Sequence, residues 1–214
     1  MSGREPERWA VSRTLARRGI LRVLSGLPLL ALGSPAFARR TPSATEGPFY
    51  PTPEMRFTDV DNDLVKNAGQ VKEAGGEIIL LRGRVLDSSG GPARGVRVEI
   101  WQCDTNGRYL HAADRRRGSY DNSFQGFGSV VTGADGVYAF RTIKPVPYTG
   151  RTPHIHVKVH HGGGEVTTQF YLKDHPLNRG DALFQRMTEP EQEAVTMTFA
   201  DGPNGPEASV DIFI

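Results

Sequence analysis

At 214 residues the chain has room for one domain with a tail. Its 25 glycines and 15 prolines, set between short apolar runs, argue against a helical architecture. The formal net charge of +2 misleads: residues 1–38 carry six arginines against two glutamates, so residues 39–214 hold 20 basic and 22 acidic side chains, which excludes a basic nucleic-acid footprint there. The single cysteine, Cys103, excludes an intrachain disulfide and a cysteine-rich zinc site.

The chain opens with Arg17-Arg18-Gly19-Ile20-Leu21, an apolar run from Val23 to Leu32, and Ser34-Pro35-Ala36-Phe37-Ala38. Small residues stand three and one before a cut after Ala38. That pattern predicts a cleavable export signal over 1–38, and the paired arginines point to the twin-arginine route. The run is short and interrupted by Gly26 and Pro28, so it predicts no membrane span. The expected location is periplasmic or extracellular.

Residues 39–76 read as an N-terminal arm and loop. Thr41 to Pro53 is proline-rich and without periodicity, an extended arm anchored by Phe49 and Tyr50. Phe57 to Gly76 reads as loop with one short turn of helix. From residue 77 to 214 short strands alternate with turns. Ile78–Leu86 is a strand. Val96–Trp101 alternates apolar and charged residues, which predicts a strand with one buried face. Asp104-Thr105-Asn106-Gly107 is a turn that leads into Tyr109, and the charged stretch from Asp114 to Asn122, with Arg115-Arg116-Arg117, is a solvated loop. Ser129–Thr132 and Val137–Ile143, joined by Gly133-Ala134-Asp135-Gly136, are expected to form a hairpin. A strand from Ile155 turns at Gly162-Gly163-Gly164 into Glu165–Leu172. Ala182–Arg186 is a short helix, and Val195–Ala200 and Ala208–Ile214 close the sheet. The expected fold class is all-β, a Greek-key β-sandwich with an extended arm.

The chemistry concentrates at Arg151-Thr152-Pro153-His154-Ile155-His156 and at Tyr148. Side chains two apart on a strand share a face, so His154 and His156 can converge on one metal ion. Tyr148 sits in the turn Pro147-Tyr148-Thr149-Gly150, and Tyr109 follows the turn after the Trp101 strand. Two imidazoles and two phenolates carry charge −2, and such hard oxygens favour Fe(III) over Zn(II) or Cu(I). Each of these residues alone is equally a packing residue. The run from Leu81 to Phe140 also fits non-catalytic sandwich modules, so an exported binding module is the alternative. A zinc-dependent hydrolase built on the two histidines is a weaker one. His111, His160, His161 and His175 read as surface residues, and Cys103 as buried.

Five signals in order resemble a known family. They are Thr45-Glu46-Gly47-Pro48-Phe49-Tyr50-Pro51, the stretch from Val98 to Tyr109 (VEIWQCDTNGRY), Pro147-Tyr148, Arg151-x-Pro153-His154-Ile155-His156, and Thr167-Thr168-Gln169-Phe170-Tyr171. The chain from Thr41 to about Leu183 resembles the intradiol ring-cleavage dioxygenases, most like the protocatechuate 3,4-dioxygenase branch. The resemblance implies a non-haem Fe(III) cofactor with Tyr109, Tyr148, His154 and His156 as ligands. It places the active-site arginine and glutamine at Arg151 and Gln169, and gives Tyr148 the further role of taking a substrate proton. It implies a small aromatic diol and O2 as substrates, with the ring opened between the hydroxyl-bearing carbons to a cis,cis-muconate-type product and protocatechuate-like substrates favoured. It also implies a homo-oligomer or a related second chain, since the protocatechuate enzymes build their site from two chains.

Overall fold

The computed structural model describes residues 40–53, 60–67 and 69–214, and the export-signal reading of 1–38 lies outside them. The fold is mostly β. The elements are β1 (Ile78–Leu86), β2 (Arg97–Trp101), β3 (Phe127–Val131), β4 (Val137–Ile143), β5 (His154–His161), β6 (Gly164–Leu172), a 3-10 turn (Pro176–Gly180), α1 (Ala182–Gln185), α2 (Glu189–Ala194), β7 (Thr196–Gly202), β8 (Gly205–Ser209) and β9 (Ile212–Phe213). The strands run in the order β3-β2-β5-β6-β7-β8-β1-β4, with β9 beside β1. Apolar side chains of β2, β5 and β6 (Ile100, Ile155, Val157, Phe170) meet those of β1, β4 and β8 (Ile79, Leu81, Phe140, Ala208) in one cluster. Among the described residues no helix is long and apolar enough to cross a membrane.

Three expectations are corrected. The hairpin across Gly133–Gly136 does not form: β3 pairs with β2, and β4 pairs antiparallel with β1, Leu81 opposite Phe140. The turn residues specify a reversal but not a partner. The partner is decided by the apolar face of β4, where Tyr138 and Phe140 are buried in the core. Second, β2 has both faces buried from Val98 to Trp101. Glu99 is covered because Tyr50 Oη donates to its carboxylate at 2.6 Å and His160 Nε2 lies 2.9 Å away. His160 is therefore held between Glu99 and Glu165 rather than free at the surface. Third, Ala208–Ile214 is two strands. Between them Val210 turns its carbonyl to Tyr138 Oη and Asp211 accepts from the Arg84 amide.

α2 was not anticipated, although Thr188-Glu189-Pro190-Glu191 carries its start signal: Thr188 N and Oγ1 both donate to Glu191. No helix occurs among the described residues 60–76.

The alternation of β5 places the site. Ile155, Val157 and Val159 enter the core, so His154 and His156 face the other side of the sheet. That side is roofed by the arm. The arm is tied down by Thr41 N to Phe213 O (3.0 Å), by Ala44 N to Thr167 O (2.8 Å) and by the ion pair of Glu46 with Lys158 (2.8 Å). Phe49 and Tyr50 then pack with Trp101, Tyr109 and Tyr148 in a second, smaller apolar cluster.

Candidate active site

The two histidines are buried, 1 % and 2 % exposed, with their Nε2 atoms 3.2 Å apart. His154 Nδ1 lies 2.7 Å from the Thr152 carbonyl. A carbonyl only accepts, so Nδ1 carries the proton and Nε2 presents its lone pair to the site. Among the described residues His156 Nδ1 has no hydrogen-bond partner, and its ring is held by stacking instead: Trp101, its register partner on β2, lies parallel at 4.7 Å and 11°. Burial and the Arg151 charge push His154 down to about 4, and burial with His154 and Arg151 puts His156 well below the imidazole range. Both rings are neutral near pH 7 and able to ligate a cation.

The tyrosines come from loops braced by local hydrogen bonds. Asp104 accepts from the Asn106 and Arg108 amides (2.9 and 2.8 Å), closing the turn that delivers Tyr109, whose own amide donates to buried Asp114 at 2.8 Å. Arg151 N donates to Tyr148 O at 2.8 Å across a turn in which Gly150 takes φ 77°, a value that favours glycine. Tyr148 Oη reaches 3.4 Å from His154 Nε2, and the Tyr109 and Tyr148 rings meet edge-on at 5.4 Å. Among the described residues the buried Tyr109 Oη has only the Tyr148 hydroxyl as a polar neighbour, in a poorly directed contact. Burial and the neighbouring Tyr148 raise Tyr109 well above 10. Burial also raises Tyr148, with Arg151 pulling the other way. Two neutral phenols and the inward Nε2 lone pair of His154 thus share one space with the neutral His156 ring.

Arg151 ties the group together. Its Nε donates to Asp181 (2.8 Å), its Nη2 to Gln169 Oε1 (2.6 Å), and its Nη1 stands 3.5 Å from Tyr148 Oη and 3.4 Å from His154 Nε2. Gln169 also binds the arm through Nε2 to Thr45 O at 3.1 Å. All six sequence-predicted residues, Tyr109, Tyr148, Arg151, His154, His156 and Gln169, are therefore brought together. Among the described residues no three His, Cys, Asp or Glu side chains form a group that could hold a metal ion.

The family model described as dioxygenase matches residues 45–212. A protocatechuate 3,4-dioxygenase beta chain from Burkholderia cepacia is 37% identical over 150 residues, 66% of this chain and 64% of that one. The dioxygenase domain of a dioxygenase carbohydrate-binding protein fusion from Streptomyces sp. SirexAA-E superimposes with a TM-score of 0.63 at 32% identity, covering 82% of this chain and 98% of that one. An intradiol ring-cleavage dioxygenase from Tetranychus urticae shares the fold, with a TM-score of 0.63 at 21% identity over 82% of this chain and 94% of that one. The chain belongs to the intradiol ring-cleavage dioxygenase family. It spans just under two thirds of the length of the Burkholderia relative.

The geometry of this family member adds residues that the sequence reading did not single out for the site. Asp181 holds Arg151 and the Thr152 amide (3.0 Å). Tyr171 Oη donates to Gln169 Oε1 at 2.9 Å. Trp101 and Phe49 stack on His156 and Tyr109. Asp181 lies 30 residues from Arg151, and no spacing rule links them. Arg116 is not solvated as expected: it pairs with Asp114 and lies 4.9 Å over the Tyr148 ring. Cys103 is buried, its thiol pushed up to about 12 mainly by burial, and takes no part. A larger groove of about 750 Å³ beside the 3-10 turn, α1 and α2 contains none of the six residues.

Proposed function

We propose that this chain is a non-haem Fe(III) intradiol dioxygenase that opens a catechol-type ring with O2 between the two hydroxyl-bearing carbons, giving a cis,cis-muconate-type product. The observation that carries the reading is the convergence of Tyr109, Tyr148, His154 and His156, with the His154 lone pair and the buried Tyr109 hydroxyl, which among the described residues has only the Tyr148 hydroxyl beside it, turned into one buried space. The donor set fits the metal. Two phenolates and two neutral imidazoles suit a hard trivalent cation, and only a strong cation makes phenolates of hydroxyls whose burial opposes ionisation. Bound iron would supply a Lewis acid that accepts both diol oxygens and draws electron density from the ring. The protein does the rest. Tyr148, the less buried phenol, is placed to take a substrate proton. Arg151, fixed by Asp181 and Gln169, holds a positive charge where negative charge grows on the substrate. Phe49 and the arm keep water from Tyr109. Export of the protein, from residues 1–38, a protocatechuate-like substrate and a partner copy or second chain belong to the same reading.

The test is the visible spectrum and metal content of anaerobically purified protein, followed by O2 uptake with catechols. A tyrosinate-to-Fe(III) band that shifts with a catechol supports the reading. A protein that stays colourless and iron-free after reconstitution overturns it in favour of a binding module. Trp101 offers a second check. Because stacking replaces the missing hydrogen bond on His156 Nδ1, Trp101→Ala is expected to lower iron affinity about 10- to 100-fold, whereas Trp101→Phe retains most of it. Metal titration of the two variants measures the difference.

A further inference from the structure

The triple arginine finds a use that the four-ligand site leaves open. Beside Tyr148 lies a cleft of about 390 Å³ whose lining includes Asn106, Arg108, Arg116, Arg117, Tyr148 and Thr149, and no acidic side chain. Its charge is poorly neutralised. Arg108 and Arg116 share the one carboxylate of Asp114, which also accepts the Tyr109 amide. Arg108 Nη1 is 3.4 Å from Asp114 Oδ1, and its Nε and Nη1 are buried without a hydrogen-bond acceptor. Arg117 is exposed and has no ion pair among the described residues. Even with the Asp104 carboxylate buried under the Asn106–Arg108 wall, the three guanidinium groups outnumber the carboxylates by one, and the uncompensated charge is that of exposed Arg117. Arg116 is not free to leave it. Its guanidinium is pinned between Asp114 and the rings of Tyr148 (4.9 Å) and Phe49 (5.5 Å), while its side chain stays 27% exposed.

We propose that this cleft is an anion subsite beside the proposed iron centre, in which Arg116 and Arg117 select aromatic diols that carry a carboxylate. The inference rests on the dioxygenase reading and adds the groups that set its specificity. A planar guanidinium fixed at one edge offers paired donors that match a carboxylate, and Arg117 at the rim adds attraction that salt screens. Arg108 is too enclosed to touch the ligand and contributes charge alone. Arg115 is exposed and does not line the cleft, so it serves as the control.

The experiment compares kcat/KM for 3,4-dihydroxybenzoate and for catechol, by O2 uptake of the full iron-loaded protein, in the parent and in R115Q, R116Q and R117Q. The parent should prefer the carboxylated diol. The preference should fall about tenfold or more in R116Q, as expected for a lost charge-assisted hydrogen bond, severalfold in R117Q with the loss shrinking in high salt, and not at all in R115Q. Because R116Q also loosens Tyr148, only the ratio between substrates is read, and the exposed R117Q keeps the test alive if R116Q fails to fold. An unchanged ratio in R116Q and R117Q, or an equal fall in R115Q, overturns the subsite. A parent that opens neither diol overturns the dioxygenase reading instead. Calorimetric binding of the two diols then decides the subsite by the same ratio.

Discussion

Asp181→Ala is expected to destabilise the protein by about 3–5 kcal/mol, the range for removing one partner of a buried ion pair, and to cut kcat/KM at least about tenfold. The carboxylate is 1 % exposed and accepts four donors: Arg151 Nε, the Thr152 amide, and the Leu183 and Phe184 amides at the start of α1. Its loss strands the Arg151 guanidinium, frees a helix end and loosens the entry to β5 at once. Asp181→Asn retains a capping oxygen and should cost less. The pH dependence has a definite sign. Burial alone would raise the Asp181 carboxyl, but the hydrogen bonds from Thr152 and Arg151 outweigh it and hold the group below its ordinary value. A carboxyl depressed in the folded state contributes stability above its unfolded pKa and loses it as pH falls through the folded value. The gap between parent and Asp181→Asn should therefore be constant from neutral pH down to about 4 and close below that. Chemical denaturation across pH measures it, and a gap that widens in acid would contradict the assignment.

Tyr109→Phe should separate stability from function. In the metal-free protein the buried Tyr109 Oη has only a poorly directed contact with the Tyr148 hydroxyl, which offsets part of the roughly 1–3 kcal/mol that an unpaired buried hydroxyl costs. Removing it leaves the stacking of the ring on Phe49 (4.6 Å) in place. The metal-free variant should match or exceed the parent in thermal midpoint, with a gain of up to about 2 kcal/mol. Iron content and ring-cleaving activity should fall by at least about tenfold, since a ligand counts for more than the groups around it. An ordinary core tyrosine predicts the opposite pair of results: lower stability and unchanged iron. Scanning calorimetry of the metal-free form and iron analysis of the reconstituted form tell the two apart.

The strand pattern was legible wherever one property settled it. Short apolar runs bounded by turn residues mark β1, β4 and β5, alternation marks β2, and the strand period of two puts His154 and His156 on one face. The turn residues placed Tyr109 and Tyr148 at the mouth of that face. Pairing was less legible. Gly133–Gly136 reads as a hairpin turn, yet it carries the chain from the edge of one group of strands to the edge of the other. Glu99 and Arg116 read as solvated because a charge on a strand or loop is usually solvated. Tyr50 and His160 cover the first, and Asp114 with two aromatic rings takes the second.

By itself the sequence determined the mostly-β class and the family, and it singled out Tyr109, Tyr148, His154 and His156 by residue type at turns and on one strand, while the resemblance added Arg151 and Gln169. Only the tertiary structure decided how these residues are held. Asp181 reaches Arg151 across 30 positions, Trp101 reaches His156 from the neighbouring strand, and Thr45 reaches Gln169 from the arm across 124. Contacts of that kind have no period and no fixed spacing. They exist because a buried charge, an imidazole without a hydrogen bond and a strand amide each had to find a partner in the packed chain, and folding set which partner lay within reach.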